Sequence, residues 1–322
     1  MRSIARVVMG YFGLVLLEWG ATAAAQEWPK QRPVTFVVAF GAGAVTDTIA
    51  RLIGQKLGES IGQTVVVDNR PGAGGNIGTQ RVQRAAPDGY TVLMTSVAYT
   101  INPTLYANAG YDPLKDFIPV ILAASVPNLI SVHPSVPAKN LQELIRLARK
   151  HPLAYASPGI GTAPHLSMER IKSTAKIDVT HVPYQPAQAV TALLSGETPV
   201  LSIAVTLPLP HVKTGKIRPL AVTSARRSPV LSEVPTVDEQ GIKGFDDLNW
   251  FGFFAPAGVS ADIVNRLNAE INRILELPDI KEKYAQLGLE PRRNSLAEFA
   301  SFIRVEIPKW AKAVKDSGAK VD

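Results

Sequence analysis

Hydrophobic positions fall along this chain in short runs of two kinds, and the two kinds alternate. VTFVVAF (Val34–Phe40), TVVVDN (Thr64–Asn69) and TVLMTS (Thr91–Ser96) read as buried strands. Between them, TIARLIGQKLG (48–58) and TQRVQRAA (79–86) repeat apolar residues at helical spacing, and PGAGGNIG (71–78) supplies a Gly-rich turn. YTINPTLY (99–106) reads as a turn into a short helix. A second series starts near Ile118, with PVILAAS (119–125) and LISVH (129–133) as two strands and LQELIRLARKH as a helix. LAYASPGIGTAPHLSMERIK then repeats the order of strand, Gly turn and helix; VTHVPY, AQAVTALLSG, VLSIAV and KIRPLAVTS follow. The chain closes on the helices IVNRLNAEINRILEL and LAEFASFIRVEIPKWAKAVKDSG. Apolar strands alternating with helices imply a mostly parallel sheet covered on both faces, and two such series imply two α/β lobes.

The first residues break this pattern. Arg2 and Arg6 precede an apolar run from Val7 to Leu17, and Ala23-Ala24-Ala25 follows. A basic start, a short apolar core and a small-residue end predict a secretory signal peptide over 1–25, cleaved after Ala25. A run of about 11 residues at ~1.5 Å each is too short for a ~30 Å hydrocarbon layer. With no Cys in 322 residues there is no site for lipid attachment, a disulfide, a thiolate metal centre or a Cys nucleophile. The expected product is exported, without stable membrane insertion. A net charge of +7 with no polybasic run and only 7% aromatic residues does not predict nucleic-acid binding.

Two Gly loops carry the candidate chemistry. Phe40-Gly41-Ala42-Gly43-Ala44-Val45-Thr46-Asp47 ends a strand and opens a helix. It resembles a dinucleotide fingerprint up to Thr46, which stands where the third Gly belongs, and Asp68 ends the next strand as that fingerprint's acid does. Asp47 would repel a pyrophosphate, so Thr46 or Asp47 is expected as a helix N-cap. What remains is a helix N-terminus with free N–H groups and a partial positive charge, suited to one small anion. Ser157-Pro158-Gly159-Ile160-Gly161-Thr162-Ala163-Pro164-His165 repeats the arrangement in the second series. Two such termini facing each other would hold a carboxylate through charge-assisted hydrogen bonds worth about 1.5–3 kcal/mol each.

Catalytic and metal patterns are thinner. Ser157 lacks the Gly two residues earlier that a nucleophile elbow requires, and the five His, at 133, 151, 165, 181 and 211, form no H-x-x-x-H pair. An exported hydrolase using Ser157 and His165 is one competing reading. A nucleotide enzyme using Gly41, Gly43 and Asp68 is another.

FGAGAVTDTIAR, VVDNRPGAGGNIGT, APDGYTVL, INPTLY, SPGIGTAPHL, THVPY, the run from PHVKTGKIRPLAVTS to VDEQG, and WFGFFAPAGV occur in this order. Together they resemble the Bug or TctC family of periplasmic substrate-binding proteins of tripartite tricarboxylate transporters. The resemblance implies a two-lobed Venus-flytrap α/β fold, each lobe a mixed, mostly parallel sheet flanked by helices, with the ligand cleft between them. It implies a first lobe of 26–123 plus 225–322 and a second of 124–224. It implies a small carboxylated ligand, such as a di- or tricarboxylate, an acidic amino acid or an aromatic carboxylate, and membrane components of a transporter as partners.

By the same match, the ligand-facing residues are Phe40, Gly41, Ala42, Gly43, Ala44, Thr46 and Asp47 in one loop. Ser96, Ala98 and Thr100 lie in a third loop, Thr95–Asn102, and Ser157, Gly159, Gly161, Thr162 and His165 in the second, with Tyr184 from VPY. The chain departs from the family at Ala42-Gly43-Ala44 where Pro-Gly-Gly is usual, at Ala192 where an Asp is usual, and at Gly196-Glu197-Thr198-Pro199. The expectation is a monomeric periplasmic receptor that is no enzyme and needs neither cofactor nor metal.

Overall fold

The computed structural model describes residues 28–321, so the expected signal peptide lies outside the described residues. The chain runs β1 (Val34–Val38), α1 (Val45–Ile61), β2 (Val65–Asn69), α2 (Asn76–Gln83), β3 (Thr91–Ser96), α3 (Ala98–Leu105), β4 (Phe117–Val132) and α4 (Leu141–Ala148). It continues β5 (Leu153–Ser157), α5 (Ala163–Ala175), β6 (Val179–Pro183), α6 (Pro186–Leu194), β7 (Val200–Ala204), α7 (Leu209–Lys213) and β8 (Arg218–Val222). It ends β9 (Leu248–Pro256), α8 (Ala261–Ile274), α9 (Pro278–Gln286), β10 (Glu290–Pro291) and α10 (Leu296–Ser317). Among the described residues no helix is long and apolar enough to cross a membrane.

The strands form two mixed sheets sharing β4. In the first, β1 lies between β2 and β3 and is parallel to both, and β9 runs antiparallel to β3 and to the first part of β4. Beyond Asn128 the same strand pairs antiparallel with β7 and β8, and β7 leads on to β5 and β6 in parallel. Helices cover these sheets in the two-lobed α/β arrangement expected from the sequence.

One expectation is corrected. PVILAAS and LISVH are not two strands but parts of one 16-residue strand, β4, which contains Pro127. A proline lacks the N–H a ladder needs. Pro127 stands where that costs little: it is opposite Leu248 of β9, the next residue is opposite Ala204 of β7, and its own carbonyl accepts from the Val205 amide at 3.1 Å. The strand changes partner there. We propose that the second lobe begins close to this switch and ends later than residue 224, because Val237, Ile242 and Phe245 pack with Ile130, Leu144 and Tyr155 in its core.

Helix faces follow their apolar spacing. In α4, Leu141, Leu144, Ile145 and Ala148 are buried, and Asn140 starts the helix by accepting from the Glu143 amide at 2.9 Å. The helix α5 is shared between the lobes: its Ala163 and Leu166 join an apolar cluster with Tyr99, Leu105, Trp250 and Trp310, which belong to α3, β9 and α10.

A buried charge cluster reinforces the same junction. Asp247, fully buried just before β9, accepts from Arg170 of α5, and Lys309 of α10 lies 3.9 Å from the same carboxylate oxygen. Lys309 donates to the Asp246 carbonyl at 3.0 Å and pairs with Glu306, whose carboxylate accepts from the indoles of Trp250 and Trp310 at 2.9 and 2.7 Å. Removing one partner of such a pair leaves a desolvated charge behind. Arg170→Met should therefore lower the urea unfolding free energy by about 3 kcal/mol, with partial recovery in Arg170→Lys; a loss near zero would show that the pair does not hold the junction.

Candidate functional site

The two Gly loops have the same build, offset by 118 residues in sequence. In the first, the Ala44 amide bonds Gly41 O at 3.2 Å and the Thr48 amide bonds Ala44 O at 3.0 Å. In the second, Thr162 bonds Gly159 O at 3.4 Å and Leu166 bonds Thr162 O at 3.0 Å. Ala44 and Thr162 take the N-cap position with φ near −70° and ψ near 160°, and neither side chain caps its helix. The expectation of Thr46 or Asp47 as N-cap is thus corrected: both are helical, and Asp47 reaches back instead.

That reach-back sets each loop. Gly43 donates its amide to Asp47 Oδ2 at 2.9 Å, and Gly161 donates its amide to His165 Nδ1 at 3.2 Å, each bond spanning four residues. Gly43 and Gly161 sit at φ +80° and +74°, a region that a side chain with a Cβ enters only at a cost. The amide is thereby turned toward the helix. At the two helix starts no protein group among the described residues accepts from the amides of Val45, Thr46 and Asp47, or of Ala163 and His165. Pro164 removes one donor from the second terminus.

Each reach-back side chain is held from behind, by different chemistry. Asp47 is buried, and its carboxylate also accepts from Arg51 Nε at 3.1 Å and Asn69 Nδ2 at 3.0 Å. Burial alone would push its carboxyl up, but the bonds from Arg51, Gly43 and Asn69 outweigh it and hold it below the usual range. His165 is buried, its ring centroid 4.1 Å from that of His181, which in turn lies 4.9 Å from Tyr155. Burial first, then the neighbouring His181 and Lys172, push its imidazole down to about 3. His181 is pushed down to about 4, mainly by burial.

Ser157 lies at the end of β5, fully buried, with Oγ 2.7 Å from His181 Nε2. The hydroxyl also contacts both Gly159 N at 3.2 Å and Gly159 O at 3.3 Å, and Thr162 Oγ1 donates to the same carbonyl at 2.8 Å. The Ser157 partner is therefore His181, not His165. The sequence offers no signal for this pairing except through strand register, which sets His181 beside Tyr155, two residues before Ser157.

The remaining expected residues are distributed as follows. Phe40 is half-buried at the edge of the shared apolar cluster, while Ala42 and Gly43 are exposed and nothing lies within 4 Å of where a Cβ would stand on Gly41 or Gly43. Thr46 is buried, and its hydroxyl has no partner among the described residues. Ser96 accepts weakly from the Ala98 amide at 3.4 Å, but Thr100 is turned inward, donating to Val97 O at 2.9 Å. Tyr184 directs its hydroxyl to Glu197 and Thr198, at 3.0 and 3.1 Å. Arg51 and Arg70 are engaged, with Asp47 and Asp68 respectively, and Asp68 is thereby occupied as well. Among the described residues no cluster of three or more metal-ligating side chains occurs.

The loops meet through the third one. Gly161 lies directly against Leu105 at the end of α3, so that a methyl group added there would collide with it. Asn102 of α3 donates to Gly74 O at 3.0 Å, and the Phe40 ring abuts the adjoining Gly75. A chain of contacts thus runs from the first loop through α3 to the second.

The profile described as "Tripartite tricarboxylate transporter family receptor" matches residues 49–319. The UPF0065 protein in the tcbD-tcbE intergenic region of Pseudomonas sp. (strain P51) is 39% identical over 287 residues, covering 88% of this chain and 85% of that one. Among solved structures, the R. palustris protein Rpa4515 with adipate is 37% identical, with a TM-score of 0.80 over 92% of this chain and all of that one. MatC from Rhodopseudomonas palustris with bound malate is 32% identical, with a TM-score of 0.76 over 88% of this chain and 99% of that one.

The depressed histidines give a pH dependence with a definite sign. Between about pH 4 and 6.5 the unfolded chain protonates His165 and His181 while the folded chain keeps them neutral, so stability falls as pH falls through that window. A histidine wholly protonated in one state only contributes a slope of about 1.4 kcal/mol per pH unit. Urea midpoints of His165→Gln should show a shallower decline between pH 6.5 and 4 than the wild type; parallel curves would contradict the buried neutral imidazole.

Proposed function

We propose that this chain, which belongs to the tripartite tricarboxylate transporter receptor family, is a non-catalytic periplasmic receptor that closes its two lobes over one small carboxylate. The observation that carries the reading is the pair of loops of one build, one from each lobe, with amides at both helix starts that no protein group among the described residues uses. A carboxylate supplies what those amides lack, and lobe closure excludes the water that would otherwise compete. The ligand class is a di- or tricarboxylate, an acidic amino acid or an aromatic carboxylate. Adipate and malate in two solved relatives support the aliphatic acids. The leader over 1–25 would export the chain, and membrane components of a tripartite transporter would receive the ligand from the monomer.

The hydrolase alternative has one observation in its favour, the 2.7 Å approach of Ser157 Oγ to His181 Nε2. An imidazole pushed down to about 4 is a weak base at neutral pH, and among the described residues no carboxylate holds its other ring nitrogen. The contact better serves to fix Gly159. Ser157→Ala is expected to keep carboxylate affinity within a few-fold, and neither protein should hydrolyse a p-nitrophenyl ester; serine-dependent turnover would support the hydrolase.

A thermal-shift screen of carboxylates should find a stabilising ligand for the wild type. Gly41 has no left-handed φ and open space around its Cβ position, so Gly41→Val should fold with an unchanged melting temperature. Its side chain fills the front of the loop, and ligand affinity should drop at least about tenfold, the loss of one charge-assisted hydrogen bond. Undiminished affinity would remove the first loop from the site.

A further inference from the structure

Ile160 stands at the tip of the second loop with 47% of its surface exposed. Single exposed aliphatic side chains are ordinary on protein surfaces. The backbone under this one is unusually constrained: Gly159 is fixed through Ser157 and Thr162, and Gly161 through His165. The loop's flank at Gly161 already touches Leu105 of the opposite lobe, so Ile160 borders the junction between lobes.

Apolar surface reaches the other lip as well. Phe40, at the start of the first loop, is half-buried and packs at the edge of the cluster that joins Leu105 to Ala163 and Leu166. At both loops the polar groups left free among the described residues include backbone amides, which recognise a carboxylate and carry no information about what is attached to it. Ala42, the residue at the equivalent tip of the first loop, offers only a methyl group.

On the carboxylate reading above, we infer that Ile160, together with Phe40, grips the carbon chain of the bound acid and makes the receptor select acids with a run of methylenes over short ones. Burying a methylene against such a wall strengthens binding by roughly fourfold. The amides then set the class of ligand and Ile160 sets its chain length.

Titration calorimetry of the wild type and Ile160→Ala with malonate, succinate, glutarate, adipate and pimelate tests this. The ratio of the variant's Kd to that of the wild type should be near one for malonate and rise to about tenfold for adipate and pimelate. Ile160→Leu should stay near the wild type throughout, and both variants should unfold at the wild-type temperature. A ratio that is flat along the series overturns the inference and leaves the carboxylate site standing. Failure of every one of these acids to bind the wild type, with other carboxylates bound, overturns it too, and failure of all carboxylates removes the receptor reading itself.

Discussion

Two hydrogen bonds of the same span, Gly43 to Asp47 and Gly161 to His165, shape everything in front of them. Each turns a glycine amide inward toward its helix, and among the described residues no protein group accepts from the amides of Val45, Thr46 and Asp47, or of Ala163 and His165, in the first turns that follow. A helix start in this state is half of an anion site. The second loop repeats the same arrangement at the start of α5. Polar requirements of the loops are met from behind, by Arg51 and Asn69 in one case and by the imidazole of His165, tilted against that of His181, in the other.

The two supports differ in charge. Asp47 is an anion neutralised by Arg51, whereas His165 is neutral because burial makes its cation too costly. Both solutions keep net charge away from the loop while preserving an acceptor for the glycine amide. The junction behind them follows the opposite logic, since Asp247, Arg170, Lys309 and Glu306 bring several charges out of water. Together with the apolar cluster around Leu105 and Trp310, that cluster ties α5, which carries the second loop, to β9 and α10.

Much of this could be read from the order of residues. The strand-helix alternation, the two lobes and both Gly loops follow from local pattern, because apolar spacing and glycine placement are short-range signals. β4 could not be read as one strand: Pro127 looks like a break, and only the change of partner from β9 to β7 makes it harmless. Asp47 and Thr46 were equally plausible as caps, since the four-residue reach-back requires the positive φ at Gly43 that sequence does not display. His181 was invisible for another reason. Its contact with Ser157 exists because β6 pairs beside β5 in one register, and a shift of one residue would turn the imidazole to the other face.

On the proposed function, one carboxylate draws on both loops at once. Backbone amide resonances of the isotope-labelled protein, followed by NMR as a stabilising carboxylate is added, test it directly. The largest shifts are expected at Val45, Thr46 and Asp47 together with Ala163 and His165, saturating at the same ligand concentration. Shifts confined to one loop, or centred away from both, would contradict it.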